Sequence, residues 1–248
     1  MNYLAHGWRY ASDPYFLAGT AAPDWMNVID RKVRLRSRVA AECISNDDPE
    51  LAAVARGIVQ HHADDHWFHA TSAFAALSLA FAVEIRDALP GDEGFRPSFV
   101  GHILVELLLD AALAEQDKSR LDNYYQSLAT LDPAIVERAI QRLATRPAQK
   151  EEQQGPEQGS IHLTQPLQPG RIPALIPRFI AEQFLRDYQD DHKLLTRLNH
   201  IMRRVGLPEL PLAVKQLFPG QRQRVWDQKE ALLSPTGPAT SDGLVESR

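Results

Sequence analysis

Apolar residues recur along this chain at helical spacing. Proline and glycine punctuate the runs, and no Val/Ile-rich alternating segment of strand length stands between them. The pattern predicts an all-α fold. The clearest start is Asp48-Pro49-Glu50, a capping carboxylate followed by proline at the first helical position and an acidic first turn. That helical region is expected to run towards Leu89, ahead of Pro90-Gly91, with a break near Thr71-Ser72. Further helices are expected from Pro97-Ser98 through Glu115, over 121–128, over 133–144 with Asp132 as cap, over 176–205, and over 212–233 with a break at Pro219-Gly220. Residues 147–171 are rich in Gln, Glu, Gly and Pro and have little to bury, which predicts a long mobile loop. The polar tail 234–248 is expected to be disordered, leaving 1–233 as a single helical domain.

At 248 residues, 44% hydrophobic and 24% charged, the chain is long enough to bury a substantial core and is neither fibrous nor disordered in composition. The longest nearly apolar run, Ala73 to Val83, is interrupted by Ser78 and falls short of the ~18–20 residues a spanning helix needs. No membrane span is therefore expected. The opening residues show no basic head followed by an apolar stretch, so a cytoplasmic location is the expectation. The single cysteine, Cys43, excludes an internal disulfide and a cysteine zinc cage, and any metal must rest on His, Asp and Glu. A net charge of -5 argues against general nucleic-acid binding, although a local basic patch could still serve an acidic partner.

The histidines carry the chemistry. His61, Asp65 and His69 stand at i, i+4 and i+8, along one stripe of a helix. His102, Glu106 and Asp110 repeat that spacing in an otherwise aliphatic segment. Histidine and carboxylates on such a helix require partners or a metal, so two matched stripes suggest facing walls of one buried metal site. Imidazole and carboxylate donors suit Zn, Mn or Fe. His62 and His66 make a competing stripe one position along, and Asp64 could orient a ligand histidine through its other ring nitrogen.

Three segments together resemble the acyl carrier protein phosphodiesterase family: the opening Met1-Asn2-Tyr3-Leu4-Ala5-His6, then Leu17 to Trp25 with Gly19, Pro23 and Asp24, then Gly57-Ile58-x-x-His61 with Asp65. The resemblance covers roughly residues 1–110. It implies an HD-like helical bundle around a divalent metal, often Mn, that cleaves the phosphodiester joining phosphopantetheine to acyl carrier protein. It also implies that His6, Asp24, His61 and Asp65 are metal or catalytic positions. Two positions depart from that family. Its later Asp-His pair stands here as Gly101-His102, with Glu106 one turn on as a replacement carboxylate, and its aspartate at position 69 is His69.

Phe16 to Asp24 is also similar to the Gly-x-x-x-Pro-Asp segment of the zinc-dependent phospholipase C and P1 nuclease superfamily, which is helical as well. Members bind metal through a His-x-x-x-Asp and a later His-x-x-x-Glu/Asp, matched by His61 to Asp65 and His102 to Glu106. They usually employ their processed N-terminus and a further histidine, and none lies between residues 25 and 60 here. Both resemblances imply phosphoester hydrolysis. Asp24 and Asp65 are the natural bridging or water-orienting carboxylates; the sequence assigns no general acid, for which His69 and His62 are the candidates. A relative that binds metal or an acidic protein without catalysis is the alternative of a different class.

The run Arg31-Lys32-x-Arg34-x-Arg36-x-Arg38 puts five cations just after Asp24. Its functional reading is a dock for acyl carrier protein or another phosphoester substrate, and its structural reading is a solvated face. Arg203-Arg204 and Arg222-x-Arg224 are weaker candidates of the same kind. Trp8, Trp25, Trp67 and Phe68 flank the candidate ligands as packing residues, while His162, His192 and His200 belong to no matched stripe.

Overall fold

The computed structural model describes residues 1–89, 91, 94–153 and 167–234, with the side chains of 145–153 apart. Among the described residues the fold is all-α. The order is α1 (Tyr3–Gly7), a 3-10 turn (Trp8–Tyr10), α2 (Pro14–Ile29), α3 (Ser37–Ala41), α4 (Pro49–His69), α5 (Ser72–Ala88) and α6 (Pro97–Gln116). It continues with α7 (Ser119–Ala129), α8 (Pro133–Gln153), α9 (Arg171–Glu182), a 3-10 turn (Phe184–Gln189), α10 (Asp191–Arg204), a 3-10 turn (Leu212–Leu217) and α11 (Phe218–Leu232).

The starts follow capping chemistry. Asp13 accepts from the Phe16 N–H ahead of Pro14, Asp48 from the Leu51 N–H ahead of Pro49, and Thr71 Oγ1 from the Phe74 N–H. Thr71 thereby restarts the chain as α5 at a 69° bend from α4, the break expected there. One expectation fails at 176–205, which is two helices and a turn. Gln183 adopts a left-handed conformation (φ 43) and ends α9, and Asp190 caps α10 by accepting from the Lys193 N–H. The turn drives Phe184 inward against Tyr3 and Phe179, a direction closed to a straight helix. The expectation of a loop over 147–171 fails at both of its ends. Helix α8 runs to Gln153, Leu167 is buried, and Glu137 accepts from the backbone N–H groups of Gly170 and Ile172. Residues 154–166, His162 among them, and the tail 235–248 lie outside the described residues.

Helix α6 is the axis, in contact with α1, α5, α7, α11 and the 184–189 turn. By length and composition it is the one described helix that could cross a membrane, yet 67% of its apolar window is buried in the protein. Its hydropathy is that of a core helix. Two close approaches position the chemistry. At the α2–α4 crossing Gly19 faces Gly57: a Cβ on Gly19 would stand 2.3 Å from the Val54 carbonyl oxygen, and one on Gly57 2.2 Å from that of Phe16. At the α5–α6 crossing a Cβ on Gly101 would stand 2.6 Å from the Ser78 oxygen. No side chain fits at position 101 without moving α5, so the packing itself requires glycine there.

Candidate metal centre

The α2–α4 crossing seats His61. Its Nδ1 lies 2.8 Å from the backbone carbonyl of Thr20, the residue after Gly19. A carbonyl only accepts, so Nδ1 carries a proton, and Nε2 faces Asp65 Oδ2 at 3.4 Å. His6, on α1, stacks on His61 with ring centroids 4.1 Å apart. Its Nδ1 bonds Asp64 Oδ2 at 3.2 Å, and Asp64 also accepts from Gln60 and Trp67. The other ring nitrogen of His6 is buried, 3.3 Å from Asp65 Oδ1, and makes no hydrogen bond. His6, His61 and Asp65 form a group compact enough for one cation, with both histidines buried.

A second group lies across α4 and α6. His69 Nε2 and His102 Nε2 stand 3.0 Å and 3.2 Å from the same Glu106 oxygen, Oε1, with the rings 4.9 Å apart. Phe74 packs edge-on against His102. The two groups adjoin: the Met1 amino nitrogen is 2.6 Å from Asp65 Oδ1 and 3.4 Å from Glu106 Oε1.

This corrects the expectation of one centre between two stripes. His61 and His102 belong to different groups, and His69 joins His102 and Glu106. Asp110 joins neither. It accepts from the Leu4 and Ala5 N–H groups and from Asn2 Nδ2, and so fixes the start of α1, which carries His6. His66 is exposed, and His62 Nε2 donates to the Leu35 carbonyl at 2.7 Å, so the competing stripe serves packing and solvent. Asp24 is half-buried beside the first group.

The charges are mutually dependent. Burial works to raise Asp65, but the adjoining His6 and His61 rings and the Met1 ammonium hold it far below the usual carboxylate range. Burial opposes Glu106 in the same way, and the Met1 ammonium with His102 and His69 pulls it well down. For Met1 and His6, burial favours the neutral form and the neighbouring carboxylates outweigh it, raising both. Asp24 is raised by burial, which His61 and His6 only partly offset. Partly buried carboxylates in this number demand positive charge close by. The donor set fits a divalent metal: the Nε2 of His6 is aimed at Asp65 without a partner, and the His61 tautomer is held by a carbonyl, as in ligand histidines.

The basic run divides. Val33 and Leu35 are buried between exposed Arg31, Lys32, Arg34, Arg36 and Arg38. Of these five only Arg31 reaches a cavity of about 610 Å³ that opens on Met1, Asp24 and Glu106. Arg222 pairs with Asp191 at 2.7 Å and Arg224 with Glu84 at 2.6 Å, so that pair serves the fold. His192 is exposed, while His200 and Arg204 line the cavity. Two parts of the site escape the reading of residue spacing: the Met1 nitrogen, which belongs to no stripe, and the cavity, whose walls come from distant helices. No family model, no curated protein and no solved structure matches this chain.

Proposed function

We propose that this protein is a metal-dependent phosphoester hydrolase. His6, His61 and Asp65 would hold one divalent ion, and His69, His102 and Glu106 a second. The observation that carries the reading is the pairing itself: two imidazole–carboxylate groups joined through the Met1 amino nitrogen, with Glu106 of the second group and Met1 reaching the cavity. Zn, Mn or Fe bound there supplies neutralisation of phosphate oxygens and an acidified water. The chain's own residues do the rest. Thr20 and Asp64 fix the two histidine rings of the first group, and Asp24, its proton affinity raised by burial, faces the cavity as the base. His69 is assigned to the second group rather than to general-acid work.

Of the two family resemblances, the phospholipase C and P1 nuclease type is favoured by this arrangement, because position 101 has no room for the other family's aspartate. Acyl carrier protein remains a second reading, supported by the exposed cations at 31–38. The test is metal analysis of purified protein together with turnover of an activated phosphodiester. His61→Ala and His102→Ala should each lose about one metal site, and Asp24→Asn should lose turnover while keeping the fold. Wild-type protein loaded with Zn or Mn that turns over neither a diester nor a monoester would leave a metal-binding protein without catalysis. Cleavage of holo-acyl carrier protein that Arg34→Glu/Arg36→Glu and added salt both weaken, with a small diester unaffected, would favour the second reading.

A further inference from the structure

The cavity is larger than a phosphate needs, and its lining is of three kinds. Met1, Asp24 and Glu106 adjoin the candidate metal groups. Phe99 and Ile103 from α6, Leu175 and Phe179 from α9, and Ile201 from α10 are apolar. Four arginines, Arg31, Arg178, Arg197 and Arg204, also line it. Two of them are neutralised, Arg178 by Glu182 and Arg197 by Asp187, each at 2.6 Å. Among the described residues neither Arg31 nor Arg204 has a carboxylate within ion-pair distance. The Arg31 guanidinium instead donates to the backbone carbonyl of Arg204 at 2.5 Å, which ties it to the end of α10 where the second guanidinium begins. One such bond leaves most of the donors of Arg31 free, and all those of Arg204.

Guanidinium groups present a planar fork that carboxylate and phosphate match with two bonds. Two of them without counter-charges, in one cavity with apolar side chains and the carboxylates beside the candidate metal groups, match a ligand of three parts. We infer that the cavity takes an amphiphilic phosphoester with a second anionic group: the ester beside Asp24 and Glu106, an apolar chain against Phe99, Leu175 and Phe179, and the second oxyanion on Arg31 and Arg204. The position of the ester rests on the hydrolase reading above; the chain and the second charge rest on the cavity wall.

Alkylphosphonates, which no hydrolase of esters consumes, test the assignment by calorimetry on the metal-loaded full chain. Two series of increasing chain length are compared, one ending in methyl and one in carboxylate. The carboxylate-ended series should bind about tenfold tighter at one preferred length, the increment of a charge-assisted bond. Arg204→Gln, which leaves the Arg31 bond to the carbonyl in place, should reduce that preference. Arg31→Gln/Arg204→Gln should abolish it with the methyl-ended affinity unchanged. Equal binding of the two series at every length, or a preference that survives the double variant, overturns the assignment. Binding here is independent of turnover. A carboxylate preference in a protein that hydrolyses no diester keeps the assignment and sinks the hydrolase reading, whereas turnover of short diesters without the preference does the reverse.

Discussion

Replacing Gly57 by alanine should destabilise this protein, against the intrinsic preference of a helix. In an open helix interior the change gains about 1 kcal/mol. At this position the new Cβ would lie 2.2 Å from the Phe16 carbonyl oxygen, 2.7 Å from Gly19 Cα and 2.8 Å from the Thr20 nitrogen. All three are backbone atoms, so no side chain can swing aside, and α2 and α4 must separate by about 1.2 Å to restore ordinary contact at 3.4 Å. Overpacking costs typically ~1–3 kcal/mol, and a clash between backbone atoms belongs at the upper end of that range, so the net loss is about 2 kcal/mol and the melting temperature falls by roughly 4–8 °C in a chain of this size. The same separation stretches the bond from His61 to the Thr20 carbonyl, now 2.8 Å, because Thr20 follows Gly19 and His61 lies one turn beyond Gly57. Loss of a bond that orients a ligand histidine weakens metal binding by about 10–100-fold. Thermal unfolding with and without Zn, and chelator competition, read the two effects separately. A variant as stable as wild type or more so would refute the close crossing, and a destabilised variant with unchanged metal affinity would refute the coupling from the crossing to His61.

Saturating Zn or Mn should raise the melting temperature, since a ligand at a hundredfold its dissociation constant adds about 2.7 kcal/mol; no shift on addition of metal and none on chelation would contradict the metal reading. Asp64→Asn should weaken the His6 group selectively, because its oxygen holds the His6 ring at 3.2 Å, and metal titration should show the His69–His102 group unaffected. Asp110→Ala should destabilise by about 3 kcal/mol or more in urea unfolding, because it strands the buried N–H groups of Leu4 and Ala5. Glu84 is held below its usual range first by the Arg224 hydrogen bond and then by Gln221, with burial opposing. Its folded pKa lies below the unfolded one, so its contribution is complete above about pH 4.3 and is lost as pH falls through the folded value. Urea titrations at several pH values should therefore show a shallower acid-side loss for Glu84→Gln, by a modest amount because the side chain is 32% exposed.

The helix start at Pro49 and the break before Ser72 are legible at Asp48 and Thr71, because capping is a contact within three residues of chain; Asp13 and Asp190 cap α2 and α10 in the same way, yet the apolar period across 176–205 conceals the second of these starts. The i, i+4, i+8 stripe on α4 is equally local, and so the sequence shows that His61, Asp65 and His69 share a face. It cannot show that the stripe divides between two groups. That depends on which side chains arrive from elsewhere: His6 on one side, His102 and Glu106 on the other, Met1 between. The glycines of two motifs read as family marks in the sequence. Only the packing reveals that Gly19 and Gly57 face each other and that Gly101 admits no side chain, because a backbone approach is a property of two segments at once. Asp110 repeats the ligand spacing and yet caps α1, since a periodicity names a face and the fold decides what that face meets. The cavity is the most tertiary feature of all: Arg31 and Arg204 are 173 positions apart in the chain and meet only because α10 folds back across the end of α2.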